Sequence, residues 1–258
     1  MNDASFPPIS ANTLFHFTNS IDNLLDILRN EFRPRFCLEN YNLLRRQASV
    51  DIGYEFAVPM VCFCDLPLSQ TATHLSVYGD YGIGMTKAWG QRNGITPVLY
   101  LYRESLLMQR YEEMFKIAAR ADESKRDRLS KALFDFACFI KPYEGDLWRE
   151  SGMLTNIRFY NEREWRFVPV LPEDFYRTGM TKSDFLNTEI RHGANQKLQE
   201  LSRISFEPND VKYLIVRRED EIVPLITQVE QIKGKYSWEE VKLVSSRVMS
   251  AEQIKGDF

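Results

Sequence analysis

The spacing of apolar and polar residues predicts strands scattered among helices. Alternation of large apolar and polar residues predicts a short strand at 13–18, and mainly apolar runs predict further strands at 60–64, 98–102, 165–170 and 211–216. Apolar residues at helical spacing predict one helix from residue 21 that ends before Pro34, and a short helix within 68–78. Two apolar stripes predict a helical region at 104–140, and the stretch 178–199 is expected to be partly helical. Because strands and helices do not alternate regularly, the pattern favours an α+β fold.

The order of these segments suggests one domain spanning residues 1–258, with a helical insertion around 104–140. We find no repeat or Gly/Ser-rich linker that would divide the chain. The stripes that we expect to be buried are Leu107, Tyr111, Met114, Phe115 and Ala118, followed by Leu129, Leu133, Phe136 and Ile140.

Composition narrows the class of protein. The chain has 44% hydrophobic residues and a net charge of -3, which excludes wholesale disorder and binding of nucleic acid by bulk charge. Four unevenly spaced cysteines do not resemble a secreted disulfide framework. No apolar run approaches the ~18 residues of a spanning helix, and the first residues do not resemble a secretion signal. We therefore expect a reduced, cytoplasmic protein without membrane contact.

The segment at 15–18 is the first candidate for chemistry. On a strand, His16 and Thr18 point to one side while Phe15 and Phe17 point to the other. One side would pack in the core, and the other would offer an imidazole and a hydroxyl to a ligand. The alternative is that both polar side chains hydrogen-bond within the protein.

A cysteine-bearing segment begins within the second predicted strand and continues beyond it. It contains the candidate binding residues Phe63, Cys64, Asp65 and Ser69. One alternative is a zinc site, for which the sequence offers thiolate and imidazole ligands at Cys37, Cys62, Cys64 and His74. The segment lacks paired C-x-x-C spacing, so the commoner alternative is that the cysteines are small buried apolar residues.

A glycine-rich stretch with two tyrosines comes next. Tyr78 and Tyr81 flank glycines that would let the backbone approach a flat ligand while a tyrosine ring stacks on it. The alternative is a tight turn with exposed tyrosines.

Glu162 and Glu164 form the third candidate segment. Two carboxylates that share a face raise the pKa of one of them. Such a pair could act as a base, hold sugar hydroxyls or stabilise positive charge at an anomeric carbon. The alternative is a solvated run of charges alternating with Arg163 and Arg166.

The window 29–46 is locally basic in an acidic protein. It carries five arginines against two glutamates, and Arg33 and Arg35 are the candidates for holding a pyrophosphate or a nucleic-acid backbone. The alternative is a solvated loop.

These segments together resemble the AbiGi family. The similarity is carried by Phe-His-Phe-Thr at 15–18, Pro-Met-Val-Cys-Phe-Cys-Asp-Leu-Pro-Leu at 59–68, Tyr-Gly-Asp-Tyr-Gly-Ile-Gly at 78–84 and the acidic segment at 162–166. This resemblance implies a protein of an abortive-infection phage resistance locus, where the family is labelled an antitoxin.

The same segments also resemble divergent ADP-ribosyltransferases, the group of the DNA-modifying DarT toxins and the poly-ADP-ribose polymerases. That resemblance implies a core of two small packed β-sheets and assigns His16, with Phe17 and Thr18, to the adenosine ribose of NAD. It assigns Phe63 to Asp65, Ser69, Tyr78 and Tyr81 to the nicotinamide side. It makes Glu164 the catalytic residue and Glu162 its substrate-orienting partner, with the two roles open to exchange.

Our main expectation is therefore an NAD-dependent ADP-ribosyltransferase that acts as the toxin of an anti-phage system. NAD would be its substrate, no metal would be needed, and RNA or DNA, including single strands, would be the acceptor. A cognate antitoxin or other neutralising partner protein would hold it in check. The alternatives are a transferase with a protein acceptor, and a non-enzymatic antitoxin that binds its target through the same cleft or through the helical region 104–140.

Overall fold

The computed structural model describes residues 10–41, 55–149, 152–172, 174–176 and 179–257. Its strands are β1 Thr13–Thr18, β2 Arg35–Asn40, β3 Glu55–Cys64, β4 Tyr81–Thr86, β5 Thr96–Pro97, β6 Leu99–Leu101, β7 Ile140–Pro142, β8 Gly145–Arg149, β9 Gly152–Ile157, β10 Glu164–Phe167, β11 Met180–Thr181, β12 Val211–Val216 and β13 Val248–Ser250. Its helices are α1 Ile21–Asn30, α2 Ala72–Tyr78, α3 Lys87–Arg92, α4 Leu106–Arg120, α5 Glu123–Ala137, α6 Lys182–Leu186, α7 Thr188–Leu201, α8 Ile222–Ile232, α9 Trp238–Ser245 and α10 Ala251–Asp257. The predicted α+β class is confirmed.

The described strands form one large sheet and two small ones. The large sheet has the order β13-β12-β4-β1-β3-β10-β5, with β2 and β11 also paired to β3. β3 is ten residues long, so its C-terminal half pairs with β1 and β10 while its N-terminal half pairs with β2 and β11. Two sets of strands thus share β3. The ADP-ribosyltransferase-like core of two packed sheets stays a prediction.

The first strand and helix follow from local signals. Ser20 begins α1 by accepting a hydrogen bond from the Asn23 N–H at 3.2 Å. Leu24 and Leu28 are buried beneath the helix, as their spacing predicted. The helix ends at Asn30, and the next residue, Glu31, adopts a φ of 69° and donates its N–H to the Ile27 carbonyl. Both predictions are therefore confirmed.

The glycine-rich stretch is a central strand rather than a turn or an open stacking surface. β4 lies between β1 and β12, and its glycines face the phenylalanines of β1. A Cβ atom at Gly82 would come within 2.8 Å of the Phe17 ring, and one at Gly84 within 2.9 Å of the Phe15 ring. The glycines therefore accommodate the protein's own aromatic rings, so the expectation of a ligand against this backbone is wrong.

The helical region at 104–140 contains a hairpin of α4 and α5. Met108, Tyr111 and Ala118 of α4 are buried with Leu133 of α5, and the Tyr111 hydroxyl donates to the Leu133 carbonyl at 2.7 Å. The predicted stripes are confirmed in part, because Tyr111, Ala118, Leu133 and Ile140 are buried and Phe115 is partly buried. The predicted members that are instead substantially exposed are Leu107, Met114, Leu129 and Phe136.

Two other predicted strands are present, but with different bounds. The strand predicted at 60–64 begins at Glu55, so Pro59 lies inside it. The strand predicted at 165–170 begins at Glu164 and ends at Phe167. In the part of the chain that is described, no helix combines the length and apolar character needed to span a membrane.

Candidate functional site

The register of the sheet separates the two residues on which the transferase hypothesis most depends. Cys64 pairs with Phe15 of β1 and with Glu164 of β10, so these three side chains share one face of the sheet. His16 follows Phe15 and therefore points to the opposite face, where its ring lies 5.7 Å from that of Phe63. We call the face that carries Glu164 the acid face. The expectation that His16 and Glu164 line one hollow is wrong.

His16 and Thr18 hydrogen-bond within the protein, as the alternative interpretation expected. β1 and β3 are paired in register only at Phe15 and Cys64, and His16 Nδ1 lies 2.8 Å from the Cys62 carbonyl oxygen. Burial lowers the pKa of His16, although the bond to Cys62 opposes this, so the imidazole is mainly neutral near pH 7. Thr18 accepts a hydrogen bond from the Asn23 side chain at 2.9 Å.

Two of the residues expected on the nicotinamide side also point away from the acid face. Phe63 packs in the main core with Trp89, their ring centroids 5.5 Å apart. Tyr81 pairs with Thr18 across β1 and β4 and donates its hydroxyl to Glu221 at 3.0 Å. Tyr78 is therefore the tyrosine that reaches the acidic residues.

A buried chain of alternating charges occupies the acid face. The Lys141 ammonium lies 2.7 Å from Glu162 and 2.6 Å from Glu164. The Arg166 guanidinium in turn lies 2.5 Å from Glu164 and 3.1 Å from Glu39. We call Glu162, Lys141, Glu164, Arg166 and Glu39 the ion chain. It contains three carboxylates and two cations, so it carries a net charge of -1.

Local backbone geometry brings the two glutamates to the same lysine. Glu162 ends a short 3₁₀ turn, and Arg163 then adopts a φ of 46° before β10 begins at Glu164. The two carboxylates were expected to share a face by strand alternation, but a turn residue in the left-handed region places them instead. Lys141 reaches them from β7, which pairs with β6 outside the large sheet.

The pKa of Glu164 is lowered, whereas the sequence predicted that one carboxylate of the pair would have a raised pKa. Burial favours the neutral form of Glu164, which is only 4% exposed, but the adjacent charges of Arg166 and Lys141 outweigh burial and hold its pKa well below the usual range. Burial likewise opposes the charge on Lys141, but Glu164 and Glu162 raise its pKa. Pairing of carboxylates was expected to raise one pKa. For Glu164 that is wrong, because a cation lies on each side of it.

Aromatic side chains enclose the Glu162 end of the ion chain. Tyr78 donates its hydroxyl to Glu162, and the His74 ring stacks on Tyr78 at 5.6 Å. Phe17 lies next in line, 6.5 Å from the His74 ring. Burial lowers the pKa of His74 against the opposing charge of Glu162, and its buried Nε2 has no hydrogen-bond partner among the described residues.

Three tyrosines form an outer rim beside the Glu162 end of the ion chain. Tyr100 accepts a hydrogen bond from the Glu164 N–H at 2.7 Å, and its ring meets that of Tyr160 edge-on at 5.3 Å. The Tyr143 ring lies 5.5 Å from the Tyr160 ring, and the Arg158 guanidinium lies over the Tyr143 ring. Tyr160 is 50% exposed. We call Tyr100, Tyr143 and Tyr160 the tyrosine rim.

The remaining predicted residues have other roles or lie elsewhere. Asp65 pairs with Lys87 at 2.9 Å, and Ser69 is exposed on a 3₁₀ turn. Arg33 donates to Gln199 at 3.3 Å, whereas Arg35 is exposed at the start of β2. The rest of the basic window, residues 42–46, lies outside the described residues.

The zinc alternative finds no support in the described ranges. Within them no group of three or more His, Cys, Asp or Glu side chains is arranged to hold a metal ion. Cys64 is buried, and burial raises the pKa of its thiol well above the usual range. It therefore behaves as a small apolar residue.

Sequence reasoning missed Lys141, Glu39 and the tyrosine rim. The only signal at Lys141 is a lysine between apolar residues in Phe-Ile-Lys-Pro at 139–142, and it does not name a partner. The pairs that Lys141 makes span 21 and 23 residues, so local periodicity could not reveal them.

Comparison with known proteins identifies the family. Residues 30–217 match the family model described as "Putative abortive phage resistance protein AbiGi, antitoxin". The chain belongs to the AbiGi family. A relative from Lactococcus lactis subsp. cremoris, named "Abortive phage resistance protein AbiGi", is 27% identical over 257 residues, which cover 88% of this chain and 99% of the relative. No solved structure matches.

Family membership confirms one of the two resemblances. The chain is an abortive phage resistance protein, as the AbiGi resemblance implied. The matched region includes the ion chain and the tyrosine rim and ends just after β12. The ADP-ribosyltransferase resemblance receives no support from these comparisons.

Proposed function

We propose that this protein is an antitoxin of an abortive-infection system, which binds a partner toxin and restrains it without catalysing a reaction. The observation that carries the proposal is that each carboxylate expected to do chemistry is already paired with a cation of the ion chain. Glu164 is held by Arg166 and Lys141, and Glu162 by Lys141 and Tyr78. Such a pairing gives a rigid scaffold rather than a free base. The antitoxin description of the matched family supports the same conclusion.

The tyrosine rim is the surface of this region best suited to hold the partner. Tyrosine and arginine are enriched where protein interfaces derive most of their binding energy. Tyr160 is half-exposed, yet its ring is held by two other tyrosines, so binding would cost it little conformational freedom. Arg158, also exposed, lies over the Tyr143 ring and adds a charged group at the edge.

Growth of bacterial cells tests this proposal. We expect the protein to be harmless when expressed alone and to rescue cells that express the toxin of the same system. Tyr160→Ala should weaken rescue by about tenfold or more in viable counts, as loss of an interface hot spot would. Trp238→Ala removes a side chain that is 71% exposed on α9 and serves as the matched control. Toxicity of the wild-type protein by itself would contradict the proposal.

A second candidate is the NAD-dependent ADP-ribosyltransferase. It is favoured by one observation: Tyr78, Glu162 and Glu164 meet on the acid face, with Phe17 linked to them through His74. In this hypothesis Tyr78 stacks on nicotinamide and Glu164 stabilises the oxocarbenium-like state once Lys141 has moved aside. NAD is the substrate, no metal is required, and RNA or DNA is the acceptor. Both candidate functions would be carried out in the cytoplasm.

Labelled NAD separates the two candidates. The protein is incubated with labelled NAD and with separate RNA, DNA and protein fractions, and retained label is measured. Transfer by the wild type that is lost in Glu164→Gln but kept in Glu144→Gln would establish the transferase. Glu144 is the matched control because it is an exposed carboxylate paired with Arg158. Absence of label from every fraction, with folded protein, would eliminate this second candidate.

A further inference from the structure

The α4–α5 hairpin carries an apolar surface that its own fold does not cover. Leu107 and Met114 of α4 are 52% and 50% exposed, and Leu129 and Phe136 of α5 are 41% and 50% exposed. Leu106 and Ile117 of α4 are also exposed, at 64% and 62%. Single exposed apolar residues are ordinary, but six on one hairpin are not, and the four named first lie along its two helices at matching positions. We call these four residues the hairpin face.

The packing of the hairpin places the four residues in two rungs. Tyr111 contacts α5 at two points, through its hydroxyl to the Leu133 carbonyl and through its ring to Phe136 at 5.8 Å. Because α4 and α5 are antiparallel, this register sets Leu107 level with Phe136 and Met114 level with Leu129. Each rung has one apolar side chain from each helix.

The charges along the hairpin are divided between its two halves. The outer half, residues 114–131, has six basic residues against three acidic ones, a net charge of +3. The inner half, residues 106–113 with 132–137, has three acidic residues against one basic one, a net charge of -2. A second hairpin packed antiparallel would set each positive outer half against a negative inner half. The surface is therefore complementary to itself under a two-fold axis.

We propose that the hairpin face is the contact between two copies of this chain, which pair their α4–α5 hairpins antiparallel into a four-helix bundle. The apolar rungs form the centre of the contact, and the opposed charges set its direction. This inference is independent of the proposed function, because either an antitoxin or a transferase can act as a dimer.

Sedimentation and light scattering across a range of protein concentrations test for the dimer. We expect the full-length chain to be dimeric, and Met114→Glu with Phe136→Glu to raise the dimer dissociation constant by about a hundredfold or more. Val223→Glu is the matched control, since it changes a residue of α8 that is 70% exposed. A wild type that stays monomeric at every concentration would overturn the proposal. If the hairpin variants instead lose only rescue from the toxin, the face belongs to the toxin and the dimer is wrong.

Charge reversal tests the antiparallel direction without changing any residue of the hairpin face. One variant reverses the outer half with Lys125→Glu and Arg128→Glu, and the other reverses the inner half with Glu113→Lys and Asp135→Lys. Each variant alone should dimerise about tenfold more weakly than wild type, and an equimolar mixture should form a heterodimer that restores the affinity. All four side chains lie at exposed positions, so folding should be preserved. Failure of the mixture to restore affinity would overturn the antiparallel arrangement.

Discussion

Replacing Lys141 with Met removes the cation between Glu162 and Glu164. Both ion pairs are short, 2.7 and 2.6 Å, and all three side chains are at most 11% exposed, so water cannot readily replace the ammonium. Removing one partner of a buried pair typically costs about 3–5 kcal/mol, because it leaves uncompensated buried charge. We expect a loss of this size in the free energy of unfolding near neutral pH. The exposed pair of Lys131 with Asp135 provides the matched control, for which Lys131→Met should cost only about 0.3–0.5 kcal/mol.

The cost should depend on pH in a defined direction. In the wild type the pKa of Glu164 is lowered, so its stabilising contribution is present above the unfolded pKa of about 4.3 and is lost as the pH falls through the folded pKa. In Lys141→Met, Glu164 keeps only Arg166, and its pKa rises relative to the wild type. The variant can then neutralise the carboxyl at higher pH than the wild type, and the difference between the two proteins should shrink as the pH falls through the variant's folded pKa.

Urea denaturation from pH 7.5 down to the lowest pH at which both proteins fold measures both effects. A second variant, Lys141→Met with Glu162→Gln, removes one uncompensated carboxylate and should recover part of the loss at pH 7.5. A cost below about 1 kcal/mol at pH 7.5 would be typical of a solvated pair and would refute the buried ion chain. A cost that does not shrink anywhere in this pH range would refute the electrostatic explanation and leave lost packing as the cause.

Three further predictions concern stability. Gly84→Ala should lower the free energy of unfolding by about 1–3 kcal/mol, because the new Cβ would lie 2.9 Å from the Phe15 ring. A Cβ at Gly193 in α7 meets nothing within 4 Å, so Gly193→Ala should be neutral or stabilising, and thermal unfolding compares the two variants. Ser20→Ala should lower the free energy of unfolding by about 1 kcal/mol through loss of the α1 cap, and an unchanged value would contradict that role. Burial lowers the pKa of Lys233 to about 8, so the folded protein bears the cost of a buried charge at pH 7. Lys233→Met should therefore stabilise the protein at pH 7, and the gain should fade by pH 10, where the folded lysine is neutral. Urea denaturation at both pH values measures the difference.

Elements set by local chemistry could be predicted from the sequence. β1 and α1 follow from alternation, a capping serine and a helical apolar stripe, and each of these signals lies within a few residues. β12 is a run of residues with high strand propensity and has the predicted bounds of 211–216. The acidic pair was also correctly singled out, since Glu162 and Glu164 both belong to the ion chain.

Features that depend on distant partners could not be predicted. Leu107 was wrongly placed in the buried stripe of α4 because it and Met108 are both apolar, and only packing against α5 and the rest of the fold decides which is buried. The glycines of β4 resembled a loop because the phenylalanine rings that fill the space above them come from β1. The face on which His16 lies required the register between β1 and β3, which no local pattern contains.

The position of Lys141 has a consequence for how the molecule opens. β6 immediately precedes α4, and β7 follows α5, so the parallel pair of β6 and β7 ties both ends of the hairpin together. Lys141 is the middle residue of β7, and its ammonium joins this pair to the sheet through Glu162 and Glu164. The Tyr100 hydroxyl of β6, which accepts the Glu164 N–H, adds a second link. The hairpin and its tie should therefore detach as one cooperative unit. Amide hydrogens throughout residues 99–142 would then exchange with solvent at a common opening free energy, below that of the central strands.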